Sequence, residues 1–203
     1  MAPESSNPSN PELALWNTNL LKEIYHLKPH PQTGRLIDSH PGTRTRPMRL
    51  LCLGASRTGT MSLYTALHTL GFRVYHMNEA VKTPQTSFGC WIEGIQAKFY
   101  GQGRPFGRVE FDKLLGDFDA GADVPFITFG VELIEAYPEA KVLLNTRDVD
   151  AWLASMGRTA GRVLRWPSWG WVAPWDPKLV GPWWEFAQWI MVTRPTPTRL
   201  LTT

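Results

Sequence analysis

The stretch from residue 50 to residue 70, LLCLGASRTGTMSLYTALHTL, constrains the fold more than any other part of the chain. An apolar run leads into a loop bounded by Gly54 and Gly59, and the loop leads into a segment whose apolar residues recur at helical spacing. A strand, a glycine-bounded loop and a helix in this order form a phosphate-binding loop, in which backbone N–H groups at the start of the helix face the anion. The sequence therefore predicts an anion site at this loop.

The residues around the second glycine do not match the commonest loop of this type. In nucleoside triphosphatases, Lys and then Ser or Thr follow that glycine, whereas here Thr60 and Met61 follow it and the cation, Arg57, lies inside the loop. A dinucleotide-binding loop would carry a third glycine between Gly54 and Gly59, and this loop has none. We therefore predict a site for a phosphate-like group without the usual lysine and magnesium. An enzyme dependent on a nucleoside triphosphate or NAD(P) is kept as a further alternative.

Strand patterns alternate with helical patterns from residue 48 to residue 156. Strands are predicted over residues 48–53, 72–76, 120–124 and 141–145, the last of them (KVLLN) as a buried strand. Helices are predicted over residues 60–70, 91–99, 110–115, 126–136 and 148–156. This alternation implies an α/β fold with a mainly parallel central sheet and helices on both faces.

The two flanks of this α/β core differ from it in composition. Residues 1–47 hold seven of the 17 prolines and predict a mobile arm with a short helix over residues 13–27. In residues 157–203, seven of the ten tryptophans fall between Trp166 and Trp189. This Trp-rich segment is interpreted as a lid, a hydrophobic wall for a substrate or a membrane-surface patch, with simple packing on the sheet as the alternative.

Charge and cysteine content exclude some classes of function. The net charge of +3 without a run of five basic residues suits an anionic ligand and argues against a nucleic-acid partner. Neither Cys52 nor Cys90 has neighbours at metal-ligand spacing, so no metal is expected, and two thiols fit a reducing compartment. We see no signal peptide and no run of about 18 apolar residues. These observations together predict a cytoplasmic protein.

A second motif, NTRDVDAWLAS, follows the last predicted strand. Arg147 stands near the end of that strand, and Ser155 stands eight residues later on the predicted helix. A forked, charged guanidinium and a hydroxyl placed in this way can converge on one phosphate. Asp148 is predicted to cap that helix or to orient Arg147, and Trp152 is predicted to lie in the core.

With both motifs considered, the sequence resembles the sulfotransferases that use 3′-phosphoadenosine 5′-phosphosulfate (PAPS), above all the P-loop sulfotransferase-like proteins of fungi. The resemblance covers about residues 46–156 and rests on RPMRLLCLGASRTGTMSLYTALHTLGFRVYH, DVP and ELIEAYPEAKVLLNTRDVDAWLAS. It implies a P-loop-type three-layer sandwich with a mainly parallel central sheet. It also implies that the first loop holds the 5′-phosphosulfate and the second motif the 3′-phosphate. The residues that carry over are Ser56, Arg57, Thr58, Gly59, Thr60, Met61, Arg147 and Ser155.

Four residues are candidates for catalysis under this resemblance. Arg57 stands where many sulfotransferases have a lysine and is predicted to stabilise charge on the transferring group; the alternative is that it only binds the cosubstrate. Asp123, at the end of the third predicted strand, is the candidate base for the acceptor proton, or else the cap of the helix that follows. His76 and Glu79 are the runner-up bases; the alternatives are a hydrogen-bonded structural role for His76 and the start of a solvated turn for Glu79.

The sequence thus predicts transfer of a sulfuryl group from PAPS to a hydroxyl or amine of a small-molecule acceptor, aromatic or apolar in view of the tryptophans. Family members normally continue past the second motif and many close a basic loop over the 3′-phosphate. Here the nearest basic residues, Arg158, Arg162 and Arg165, have the spacing of a helix face. A non-catalytic or truncated nucleotide-binding relative is therefore the main alternative.

Overall fold

The structure is a computed structural model that describes residues 27–166 and 168–192. The strands are β1 Leu50–Cys52, β2 Val74–Tyr75, β3 Ala120–Ala122 and β4 Lys141–Leu143. The α-helices are α1 Thr60–Thr69, α2 Met77–Ala80, α3 Pro84–Tyr100, α4 Arg108–Leu115, α5 Gly130–Ala136, α6 Val149–Arg158, α7 Ala160–Leu164, α8 Trp169–Val172 and α9 Val180–Val192. Short 3-10 helices span Ile37–Ser39, Phe126–Phe129 and Ala173–Trp175.

The strands form one parallel four-stranded sheet in the order β2-β3-β1-β4. In register, Leu50 of β1 lies opposite Ala120 of β3 and Lys141 of β4. Because all strands run the same way, their carboxyl ends and the loops that leave them share one edge of the sheet. The predicted α/β fold with a parallel sheet is confirmed.

Apolar side chains cover both faces of the sheet, as the period of two along a strand requires. Leu51 and Tyr75 belong to the larger core cluster on one face. Cys52 and Val74, their neighbours in sequence, belong to a smaller cluster on the other face, where Leu67 of α1 packs. Helices, sheet and helices therefore form the three layers of the predicted sandwich.

The long helix α3 is the main support of the larger cluster. It begins with Pro84 in its first turn and ends at Gly101, whose φ of 65° is the left-handed conformation that favours glycine. Trp91, in its middle, is fully buried. α9 packs along α3, with the rings of Phe88 and Phe186 stacked 4.8 Å apart. The sequence predicted only the second half of α3, because Gly89 and the polar residues of its first turns obscure the helical pattern.

The segment before β1 differs from the predicted mobile arm over its described part. Ile37 is fully buried in the larger cluster. Arg35 forms ion pairs with Glu93 of α3 and Glu110 of α4. Residues 27–47 therefore pack on the core, which their proline content did not indicate. The predicted helix over residues 13–27 lies, apart from Leu27, outside the described residues.

β4 also differs from the prediction of a buried strand. Within the described residues it pairs only with β1, at the edge of the sheet. Val142 is 51% exposed and Leu144 is 67% exposed, whereas Leu143 packs against the smaller cluster. An apolar run predicts a strand, but it does not reveal whether that strand has one neighbour or two.

The predicted helix over residues 126–136 is divided into the 3-10 helix Phe126–Phe129 and α5.

In the Trp-rich segment, Trp169 stacks on Trp184 with ring centres 5.8 Å apart, while Trp171 and Trp175 are 79% and 88% exposed. In the part of the chain that the structure describes, no helix combines the length and the apolar character needed to cross a membrane.

Candidate active site

The predicted site residues follow the four strands at the carboxyl edge of the sheet. The first loop follows β1, His76 follows β2 directly, Asp123 follows β3 directly, and Arg147 lies four residues after β4. Because β3 lies between β2 and β1, Asp123 comes within reach of both His76 and the first loop. Because β4 lies on the other side of β1, the second motif meets the first loop from the opposite side.

The first loop ends in a helix start that suits an anion. Gly59, with a φ of 97°, precedes α1, and no side chain caps that helix. The N–H groups of its first turn are therefore not satisfied by a cap, which is the arrangement that binds phosphate and sulfate groups. Thr60 is buried, and Met61 is 53% exposed.

Asn145, two residues after β4, contacts the first loop at both of its ends, near Gly54 and at Thr58. A Cβ at Gly54 would lie 2.0 Å from Asn145 Oδ1, so a larger residue at this position would force the amide to move. Asn145 Nδ2 donates hydrogen bonds to the carbonyl of Thr58 at 3.1 Å and to its hydroxyl at 2.6 Å. The hydroxyl of Thr58 in turn donates to the carbonyl of Ala55 at 2.7 Å. These contacts give Thr58 a role in shaping the loop.

Arg57 joins the first loop to the second motif. Its Nε donates to the hydroxyl oxygen of Ser155 at 3.1 Å, and its carbonyl accepts from Arg147 Nη1 at 2.9 Å. Ser155 is buried, whereas Arg147 is exposed. The two motifs, about 90 residues apart in sequence, thus bring a guanidinium pair and a hydroxyl together at one place.

The carboxylate of Asp123 contacts the first loop and His76, which follows β2, and it does not cap the helix that comes after it. Ser56 Oγ donates to Asp123 Oδ1 at 2.5 Å, and His76 Nε2 lies 3.4 Å from Oδ2. The 3-10 helix after it has Pro125 as its N-cap and no side-chain cap. The alternative role of Asp123 as a helix cap is therefore wrong, and its role as a base stays a prediction.

His76 is held in one tautomer. Its Nδ1 accepts a hydrogen bond from the backbone N–H of Asn78 at 3.2 Å, so the proton of the neutral ring is on Nε2. Nε2 faces Asp123 and, at 3.4 Å, the hydroxyl of Thr60. Burial lowers the pKa of His76, and the charges of Asp123 and Glu79 oppose this shift only in part. The ring is thus suited to donate to Asp123 and less suited to accept a proton itself.

Glu79 lies in the short helix α2 and is tied to two neighbours. Its Oε1 accepts hydrogen bonds from the Tyr64 hydroxyl and from Lys82 Nζ, the latter at 2.6 Å. Burial alone would raise the pKa of Glu79, but these two hydrogen bonds and the Lys82 charge outweigh it and lower the pKa. The lowered pKa makes Glu79 a weaker base than a free glutamate. Asp123 is hydrogen-bonded to the first loop through Ser56, so it is the better candidate on geometry.

Sequence reasoning missed two residues of the site. Asn145 was assigned only to the end of a strand, and Trp152 was predicted to be core. Trp152 is half-buried, and its Nε1 donates to the carbonyl of Ser56 at 2.8 Å. A polar side chain at the end of an apolar strand, as in KVLLN, was the available signal for Asn145. Asp148 caps α6 by accepting from the N–H of Ala151 at 2.9 Å, one of its two predicted roles.

Among the described residues, no group of three or more His, Cys, Asp and Glu side chains is placed to hold a metal ion. The expectation that the site needs no metal stays a prediction.

Comparison with known proteins identifies the family. The model of the sulfotransferase domain matches residues 49–198, so the match continues past the second motif through most of the Trp-rich segment. The Ava biosynthesis cluster protein M of Aspergillus versicolor is 44% identical over 122 residues, which are 60% of this chain and 46% of that protein. The chain thus spans about half the length of the curated relative that it matches. On these matches and on the parallel sheet with its glycine-bounded loop, the chain belongs to the sulfotransferase domain family.

Proposed function

We propose that this protein transfers a sulfuryl group from PAPS to a hydroxyl or amine of a small-molecule acceptor. One observation carries the proposal: the first loop and the second motif meet through Arg57 and Ser155, and the carboxylate of Asp123 is bonded to the same loop through Ser56. Anion-binding groups and a candidate base therefore belong to one connected site. The family membership supports the reaction class.

The residues present fit the two anionic ends of such a donor. The uncapped start of α1 with Arg57 would hold the phosphosulfate, and Arg147 with Ser155 would hold the 3′-phosphate. Asn145 Oδ1 is buried without a hydrogen-bond partner among the described residues, which is a further polar group in the same loop region. When bound, PAPS supplies the activated sulfuryl group.

The chemistry left to the protein is positioning, charge stabilisation and removal of one proton. The guanidinium of Arg57 brings a positive charge and forked hydrogen-bond donors to the loop and stabilises negative charge there. Asp123 accepts the proton of the acceptor hydroxyl or amine. Ser56 and His76 hold the two oxygens of that carboxylate and so orient it toward the loop.

The relative from a biosynthesis cluster supports an acceptor from secondary metabolism. The exposed tryptophans of the Trp-rich segment support an aromatic or apolar acceptor. We place the reaction in the cytoplasm, because both cysteines are free and two free thiols fit a reducing compartment. Burial raises the pKa of Cys52 to about 11 and that of Cys90 to about 12, so both thiols are protonated and unreactive.

Calorimetric titration with adenosine 3′,5′-bisphosphate, beside ATP and NADPH, tests the proposal. We expect selective binding of the bisphosphate and a loss of about 10- to 100-fold in affinity in Arg147→Ala, because a charge-assisted hydrogen bond to phosphate is removed. Lys141→Ala removes an exposed charge at the amino end of β4 and should bind as the wild type does.

Three outcomes distinguish the proposed sulfotransferase from its alternatives. Preferred binding of ATP or NADPH would contradict the proposal. Binding of the bisphosphate without transfer from PAPS to any member of a broad panel of hydroxyl and amine acceptors would favour the non-catalytic relative. Transfer that is lost in Asp123→Asn would support the enzyme.

A further inference from the structure

Three successive backbone carbonyls of the first loop accept hydrogen bonds from side chains of the second motif. The donor atoms lie 2.8, 2.9 and 3.1 Å from the carbonyl oxygens. All three donors come from residues 145–152, the stretch that leaves β4 and enters α6. The pairs are Trp152 with Ser56, Arg147 with Arg57, and Asn145 with Thr58.

These contacts decide where the N–H groups of the loop point. In a planar trans peptide the N–H of one residue points opposite to the carbonyl of the residue before it. With the carbonyls turned toward the second motif, the N–H groups of Arg57 and Gly59 point away from it. Neither has a hydrogen-bond partner within residues 27–166 and 168–192, whereas Thr58 N–H closes the turn to Ala55. Arg57 has a φ of 71°, and a left-handed residue in such a loop forms an anion-binding concavity of N–H groups.

We propose that Asn145, Arg147 and Trp152 form a carbonyl clamp, which fixes the first loop in the shape that presents its N–H groups to an anion. The second motif then has two tasks, since it shapes the first loop as well as binding a phosphate. Trp152 is a positioning residue in this clamp, because it acts through Ser56 and not on the anion itself. The inference rests on the proposed function for the identity of the anion, a phosphosulfate.

Trp152 also connects the clamp to the candidate base. It holds the carbonyl of Ser56, and the hydroxyl of the same residue donates to Asp123 at 2.5 Å. Loosening Ser56 therefore affects the anion site and the orientation of the carboxylate together. A tryptophan that only filled the core would not produce this joint effect.

The chain offers a matched pair of variants for the test. Trp152→Phe keeps an aromatic ring and removes the N–H that holds Ser56. Trp184→Phe removes an N–H that is buried without a hydrogen-bond partner among the described residues. Hydrogen exchange of the peptide covering residues 54–61 is measured in the free proteins by mass spectrometry. Calorimetry with adenosine 3′,5′-bisphosphate and with inorganic sulfate measures the anion site.

We expect about 3- to 10-fold faster exchange of the loop and about 3- to 10-fold weaker bisphosphate binding in Trp152→Phe, the range that one hydrogen bond supports. Trp184→Phe should leave the loop exchange and the affinity unchanged. Asn145→Ala should change both in the same direction as Trp152→Phe, and it serves as the second variant if Trp152→Phe does not fold.

The outcomes also distinguish the clamp from the proposed function. If the loop of folded Trp152→Phe and Asn145→Ala exchanges at the wild-type rate, the clamp is overturned, whether or not the bisphosphate binds. Faster exchange at unchanged bisphosphate affinity would overturn its role in presenting the N–H groups. The variants could also exchange faster while the wild-type protein binds neither bisphosphate nor sulfate. This result would show that the clamp holds the loop, and it would contradict the sulfotransferase proposal.

Discussion

Two residues of the candidate site have a backbone conformation that side chains disfavour. Arg57 and Asp123 have φ values of 71° and 64°, in the left-handed region. This conformation costs an L-residue with a Cβ about 1 kcal/mol or more. Each is held by contacts from other elements: Arg57 through Ser155, and Asp123 through Ser56. Strain that the surroundings maintain at two positions of one candidate site is typical of a functional site.

Asp123→Asn tests the assignment of the base. The amide keeps the shape of the side chain and cannot accept the proton, so transfer should fall by about 10²- to 10⁴-fold while bisphosphate affinity stays near that of the wild type. The rate is measured with PAPS and the best acceptor of the panel. Glu79→Gln is the control, and a comparable loss in that variant alone would assign the base to Glu79.

His76→Gln tests the pH dependence that follows from burial. The pKa of His76 is lowered in the folded state, so below about pH 6.5, the usual pKa of histidine, the unfolded chain binds more protons and stability falls with falling pH. The variant lacks this contribution. Its free energy of unfolding in urea should therefore decline less than that of the wild type between about pH 7 and pH 5.

The comparison isolates His76, because His40, whose pKa burial also lowers, is present in both proteins. Equal pH slopes for the two proteins would contradict the assignment of a buried, neutral His76.

At the scale of elements, the order of strands decides which parts of the chain share the site. β3 lies between β2 and β1, so the residues after these three strands meet. β4 and α6 approach β1 from the other side, and Asn145 fits against Gly54 with no room for a side chain there. The close approach of β4 to the first loop is therefore a packing constraint on Gly54 as well as a source of hydrogen bonds.

Gly54→Ala tests this packing. The added Cβ would meet Asn145 Oδ1 at 2.0 Å, so the amide has to shift, and we expect a loss of about 1–3 kcal/mol in the free energy of unfolding. Gly157→Ala, on α6 with open space around the added Cβ, should be neutral or stabilising by up to about 1 kcal/mol. Thermal or urea unfolding measures both, and equal stabilities would contradict the close approach.

At the scale of the whole molecule, the α/β core includes chain on both sides of the motifs. Residues 27–47 contribute a fully buried Ile37, and α9 contributes Phe186 to the same cluster. The Trp-rich segment divides into stacked rings near α9 and exposed rings at Trp171 and Trp175. Residues beyond both predicted boundaries, 47 and 156, therefore contribute to the same core cluster, and the boundaries themselves stay a prediction.

Ile37→Ala tests whether the segment before β1 is part of the fold. Removing a fully buried isoleucine side chain should lower the free energy of unfolding by about 2–5 kcal/mol. Leu70→Ala, at a position that is 73% exposed, should change it by less than about 0.5 kcal/mol. Similar small effects for both in urea unfolding would show that residues 27–47 do not contribute to the core.

Contact of the Trp-rich segment with a membrane surface stays a prediction with its own test. Trp171 and Trp175 are exposed, and the exposed Arg162 and Arg165 precede them by a few residues in sequence, a composition that suits an anionic lipid surface. Co-sedimentation with vesicles that contain phosphatidylserine should decrease in the double variant Trp171→Ala, Trp175→Ala. Sedimentation that is equal for both proteins would contradict the prediction.

Local spacing in the sequence determined the α/β fold, the glycine-bounded loop, the second motif and the candidate residues Arg57, His76, Asp123 and Arg147 near the strand ends. Such features follow from periodicity, glycine positions and polar residues at strand ends, all of which are local. Only the tertiary structure decided that Asp123 turns to Ser56 and His76, that Trp152 and Asn145 hold the loop, and that β4 lies at an edge. These depend on the order of strands and on contacts between residues far apart in sequence, and no local pattern specifies either.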